Sequence, residues 1–192
     1  MAGLLNFTGS KHNKDSFSVY SFTFFVAFSL LFCLSVNAQD EENENIPENL
    51  APPALKIISK EEKSALAGVN DIKDRTKIAL DLMEVRLKKA ESLNTEESFG
   101  DLLSELGGFQ ALMDDALKYL NRNGDGGGKV LNTFKRFEMA LRAFMPRLEL
   151  IRRDLPEKYE YHVRKLLRTV RDTRAKAVEP FFSTTVLPSR GN

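Results

Sequence analysis

Apolar residues recur every three or four positions through most of this chain after its first third. That spacing places side chains on one face of an α-helix, so each such stretch predicts an amphipathic helix. Four stretches show the pattern: Leu66 to Ala90, Phe99 to Leu120, Val130 to Ile151, and Tyr159 to Phe181. Glycine and proline are few and clustered, which argues against a β-sandwich with its frequent turns.

Short connections between the four stretches predict antiparallel neighbours in space. The expected fold class is therefore all-α: an antiparallel up-down four-helix bundle with a long N-terminal helix, over residues 58–182. Residues 183–192 are expected to be a flexible tail.

Capping residues predict where the helices begin. Ser59 with Glu62 three residues later matches a capping box, in which a hydroxyl and a carboxylate each accept a bond from a free backbone N–H. From there the first helix is expected to continue to Leu93, a length of about 50 Å at the rise of an α-helix. Asn94 and Glu97 match a second cap of this kind and predict the start of the next helix.

Glycine and proline residues mark the predicted interruptions. Gly107-Gly108, inside the second helix, indicates a mild kink or, as the alternative, a close helix crossing where a second backbone must approach. Residues 121–128 are expected to form a flexible loop, and Pro146 predicts a kink in the third helix. The fourth helix is expected to be capped by Asp154 and to end where Pro180 and the tail from Ser183 follow its last apolar residue, Phe181.

The N-terminal region has the composition of a targeting segment. Residues 17–36 are apolar apart from serines and one threonine, with lysines before them and acidic residues after them, an arrangement that directs the downstream chain outward. Small residues around Ala38 predict a signal peptide over 1–38 and export to the periplasm or the exterior. An uncleaved signal anchor is the alternative, because the run is close to the roughly 20 residues that span a bilayer. The acidic, proline-containing segment 39–57 is expected to be a disordered linker.

Charge is divided unevenly along the chain. Residues 39–125 carry 11 basic and 19 acidic side chains, whereas residues 126–192 carry 15 and 7. The simplest interpretation is an acidic helical hairpin that docks on a basic one. The alternative is a polyanion contact, such as an anionic membrane surface, through a face of the fourth helix, where four arginines fall together: Arg164, Arg168, Arg171 and Arg174.

The residues give no catalytic or cofactor signature. Downstream of Ala38 there is no cysteine and one histidine, His162, which has no Glu-x-x-His partner of the kind a di-iron bundle requires. The 121–128 loop has one carboxylate, too few for an EF-hand. We therefore expect no cofactor, no metal and no enzymatic activity. The formal net charge of +1 predicts no nucleic-acid partner.

Three functions are compatible with this pattern. The leading expectation is an exported, non-enzymatic interaction or structural module with a protein or envelope partner, for which an exposed apolar groove would be the sign. The second is a carrier of an apolar ligand between the helices, with phenylalanine lining and a cavity above about 300 Å³. The third is the arginine-dependent binder of anionic lipid or polymer. The sequence leaves the oligomeric state open.

Overall fold

The apolar stretches fold into helices that pack against one another. In the computed structural model of this chain, the residues described are 46–94, 98–123 and 127–183. These ranges contain five helices and no strand, which confirms the all-α prediction. The helices are α1 (Lys60–Ala67), α2 (Ile72–Ser92), α3 (Phe99–Asn123), α4 (Gly128–Asp154) and α5 (Glu157–Ser183). The predicted signal peptide, its cleavage site and residues 184–192 of the predicted tail lie outside the described residues.

The first predicted helix is two helices, so the prediction of one continuous helix from Ser59 to Leu93 is wrong. Its start is correct: the Ser59 N–H donates to Glu62 Oε2 at 2.7 Å, and the Glu62 N–H donates to Ser59 Oγ at 3.2 Å. The break follows because Asp71 accepts bonds from two N–H groups of the next turn, at 3.0 and 3.1 Å. A short acidic side chain makes these bonds at a helix start, where the backbone N–H groups have no other partner.

Two further predicted caps are wrong. The helix expected from Asn94 begins instead at Phe99, and Glu97 lies outside the described residues. Asp154 is the last residue of α4 and does not cap α5. The two side chains bond each other, with Asn94 Nδ2 donating to Asp154 Oδ2 at 3.0 Å. Both residues therefore connect helix ends that are distant in sequence, which local capping rules do not consider.

Helices α3 and α4 extend into the segment that the glycines predicted to be a loop. Helix α3 continues to Asn123 and α4 starts at Gly128, so part of the predicted 121–128 loop is helical. Helix α5 contains Pro180 and ends at Ser183, one residue beyond the predicted boundary of the bundle at residue 182.

The helices pack in pairs along the chain. Helix α2 lies against α3 and α4 against α5, while α2 also contacts α4, α3 contacts α5, and α1 contacts α2. Lys129 bonds Asp71 near the starts of α4 and α2, and Arg147 bonds Glu91 near their ends, so these two helices run in the same direction. The core between the pairs is apolar, with Phe109 and Phe144 meeting edge-on at 5.4 Å.

Residues 46–58, the N-terminal strap, have no regular secondary structure but lie against the helices. The Ala51 N–H donates to the Lys158 carbonyl oxygen at 3.1 Å, and Ala51 is only 8% exposed. Ala54 and Ile58 pack against the core. For residues 46–57 this packing differs from the disordered linker that the sequence composition suggested, and residues 39–45 of that linker lie outside the described residues.

Gly107-Gly108 is a point of close approach, but the backbone that comes near it belongs to the strap and not to a crossing helix. A Cβ on Gly107 would collide with the Leu55 carbonyl oxygen and lie 3.1 Å from the Ala54 Cβ. A Cβ on Gly108 would lie 2.9 Å from Cζ of Arg86. The first glycine thus gives space to the strap, and the second gives space to a guanidinium.

This contact predicts opposite effects for two alanine substitutions in one helix. Gly107→Ala should lower the free energy of unfolding by about 1–3 kcal/mol, because the added methyl group collides with strap backbone. Gly100→Ala is the matched control, since nothing lies within 4 Å of its added Cβ. It should raise stability by up to about 1 kcal/mol through helix propensity. Urea denaturation measures both, and equal effects would contradict the close packing of the strap.

Candidate binding groove

A groove opens between the strap and helices α3 and α5. Its volume is about 470 Å³, which lies within the range of small-molecule sites. Three separate parts of the chain line it: Ile46, Leu50, Pro53, Ala54 and Lys56 from the strap, Gln110 from α3, and Tyr161, His162, Lys165, Leu166 and Thr169 from α5.

The strap is fixed to α5 at the start of the groove. Ala51 bonds this helix twice, through its N–H to Lys158 and through its carbonyl oxygen to His162 Nε2 at 2.6 Å. A carbonyl can only accept, so Nε2 of His162 carries the proton in this bond. The buried Tyr161 ring packs against the imidazole in an edge-to-face arrangement, with the two ring centres 5.6 Å apart. His162 therefore positions the strap, a role that sequence spacing did not reveal.

The strap also contacts α3, the second helix that lines the groove. The Leu55 carbonyl crosses Gly107, and the Lys56 ammonium lies 3.8 Å from the Asp114 carboxylate. Burial is the largest influence on Asp114 and raises its pKa, while the charges of Lys56 and Lys176 act in the opposite direction. Both partners of the Lys56–Asp114 pair are about half exposed, so this ion pair adds little stability.

A charged cluster secures the segment that follows the strap. Arg86 on α2 donates to both carboxylate oxygens of Glu62, at 2.7 and 2.9 Å, and to Glu105 on α3 at 2.7 Å. Burial would raise the pKa of Glu62, but bonds from Arg86 and from the Ser59 N–H leave it below its ordinary value. Because Glu62 also caps α1, this cluster joins the end of the strap to α2 and α3.

The four predicted arginines all lie on α5, and two of them interact with glutamates of α4. Arg174 donates to Oε1 of Glu138 through Nε at 3.1 Å and Nη2 at 2.7 Å. Arg164 pairs with Glu160 at 3.4 Å and stacks over the Tyr161 ring. Arg171 is exposed and lowers the pKa of Glu149, and Arg168 is half-buried. The structure therefore places Arg174, Arg164 and Arg171 near acidic side chains of the same domain.

The phenylalanines considered as a ligand lining are mostly core. Phe109 and Phe137 are fully buried and Phe99, Phe134 and Phe144 nearly so, and none of the five lines the groove. The groove was missed because five of its eleven lining residues belong to the segment interpreted as a linker. Gly107-Gly108 was the available signal, since a glycine pair on a buried helix face indicates that a backbone approaches it.

Two negative findings apply to the described ranges only. Within them, no group of three or more histidine, cysteine, aspartate or glutamate side chains could hold a metal ion. None of the helices in the same ranges combines the length and apolar character needed to cross a membrane.

Comparison with known proteins gives no relative. No family model, no curated protein and no solved structure matches this chain. Its function must therefore be inferred from its own residues.

The Glu138 site predicts a pH-dependent stability. Burial of Glu138 would raise its pKa, but Arg174 and Arg142 lower it below the ordinary 4.5. A carboxylate with a lowered pKa stabilises the fold above its ordinary pKa, and that stability is lost as the pH falls through the folded value. Glu138→Gln should therefore cost about 2 kcal/mol at pH 7, and this difference from the native protein should shrink below pH 4.5.

Urea denaturation at several pH values measures this difference, with Glu179→Gln as the control for an exposed glutamate on α5. The control should change stability by less than about 0.5 kcal/mol at every pH. If the loss of stability caused by Glu138→Gln stays constant down to pH 3, the Arg174 pair does not depend on the charge of Glu138.

Proposed function

We propose that this chain is an exported, non-enzymatic helical-bundle module that binds a ligand in the groove beneath its N-terminal strap. The observation that carries the proposal is the groove itself, with a volume of about 470 Å³ and walls from the strap, α3 and α5. Sites for small molecules are concave and mostly apolar, with a few polar groups that orient the ligand. The groove residues have that composition.

Because the core is filled with side chains, the groove is a better candidate for the ligand site than the space between the helices. The largest side chains between the helix pairs, among them Phe109, Phe137 and Met83, are fully buried. A close-packed interior of this kind leaves little room for a ligand. We therefore keep the carrier hypothesis but change the position of the ligand. It lies in the groove at the edge of the four long helices, where the strap forms one wall, and not between the helices.

Export is supported by the N-terminal sequence alone. Cleavage after Ala38 would leave residues 39–45 ahead of Ile46, the first strap residue that lines the groove. The binding module would then begin close to its mature N-terminus. In this proposal the partner belongs to the cell envelope or to the exterior.

Mass spectrometry of the protein from its own host tests the export proposal. The envelope and extracellular fractions should contain a chain that begins at Gln39, because the small residues before this position fit signal peptidase. A full-length chain confined to the membrane fraction would support the signal anchor. A full-length chain in the cytoplasm would contradict export.

Native mass spectrometry of the same material tests the binding site. The protein should carry a reproducible small adduct, which Thr169→Trp should remove because the indole fills the groove. Ala175→Trp is the matched control, on an exposed position of the same helix outside the groove, and should keep the adduct. A native protein without an adduct, or equal adducts on both variants, would argue against the proposed site.

A further inference from the structure

We infer that the groove takes a small amphipathic anion, a single apolar chain that ends in a carboxylate or similar group. This inference rests on the proposed function, since it names the class of ligand for the same groove. It follows from three properties of the lining: its apolar wall, the sign of its charges, and the bonds that its polar groups already make.

One wall of the groove is apolar. Leu50, Pro53 and Ala54 form its strap side, and Leu166 continues it on α5. Leu166 is nearly buried and Leu50 is half-buried, so an apolar chain laid between them would remove hydrocarbon surface from water. Each buried methylene group favours binding by about 0.8 kcal/mol.

The fully charged side chains of the lining are both cationic. They are Lys56 and Lys165, and no carboxylate is among the lining residues. Lys56 lies beside Asp114, which offsets part of its charge. Lys165 is exposed at the edge of the groove and is joined to no carboxylate among residues 46–94, 98–123 and 127–183. We therefore assign the anionic end of the ligand to Lys165.

Two other polar groups of the lining are already engaged. His162 donates its Nε2 proton to the Ala51 carbonyl, and the Thr169 hydroxyl donates to the Lys165 carbonyl oxygen at 3.0 Å. The Thr169 hydroxyl cannot donate to a ligand without losing its present bond, and a neutral His162 that donates through Nε2 has only an acceptor left at Nδ1. The Gln110 side-chain amide is half-buried and lies in the lining from α3, where it can donate a hydrogen bond to the same anion.

Isothermal titration of the purified protein, with the N-terminus that its host leaves on it, tests the class of ligand. The probes are decanoate, decyltrimethylammonium with the same tail and the opposite charge, and acetate with the same head and no tail. Decanoate should bind with one-to-one stoichiometry. The cation should bind at least tenfold more weakly, and acetate should give no measurable heat.

Lys165→Glu should weaken decanoate binding at least tenfold, because the variant presents like charge to the carboxylate. Lys118→Glu is the control, with the same charge change at an exposed position of α3 outside the groove, and should leave binding unchanged. Both variants alter exposed residues, and circular dichroism confirms that each keeps its helix content.

The outcomes separate this inference from the proposed function. If Thr169→Trp removes binding but Lys165→Glu does not, the groove is the site and the anion assignment is wrong. Equal binding of decanoate and decyltrimethylammonium would also overturn the assignment. If decanoate binding survives Thr169→Trp, or decanoate does not bind at all, the inference fails, while the adduct measurement still decides the groove.

Discussion

The close contact at the double glycine of α3 brings three parts of the chain together. The strap backbone crosses Gly107 at Leu55, and the Arg86 guanidinium lies over Gly108. Arg86 then binds Glu62 before α2 and Glu105 on α3, so the segment that follows the strap is joined to the same helix. A side chain at either glycine would displace one of these partners. The groove depends on this contact, because the strap forms one of its walls.

The charged side chains behind the charge asymmetry of the sequence mainly form ion pairs inside the domain. Arg147 of the basic half binds Glu84 and Glu91 of α2 at 2.6–2.7 Å, which joins the two hairpins as the docking interpretation expected. Arg174 and Arg164 bind carboxylates of their own hairpin, at Glu138 and Glu160. The Arg147 and Arg174 pairs link neighbouring helices, whereas the Arg164 pair lies within α5. Partly exposed ion pairs such as Arg147–Glu91 contribute about 0–1 kcal/mol each, and Glu138, at 10% exposure, is the most enclosed of these carboxylates.

Local features were readable from the sequence, whereas features made by distant residues were not. The helices and the Ser59 capping box follow from spacing and from contacts within one turn. The break at Asp71 was missed because the apolar spacing continues across it. The strap was missed because prolines and acidic residues are typical of linkers, and its packing depends on glycines more than 50 positions later. The sequence spacing placed four arginines on one face of the fourth helix, but it could not reveal Glu138, the partner of Arg174, which is 36 residues away.

The central claim is that the strap belongs to the folded domain and forms a wall of the groove. Hydrogen exchange of the Ala51 amide, followed by NMR, tests it most directly, because this N–H donates to Lys158 only when the strap is docked. The account predicts an amide that exchanges much more slowly than in an unstructured peptide, and faster in Gly107→Ala. Exchange at the unstructured rate in the native protein would show that the strap is not docked, and the groove would lose that wall.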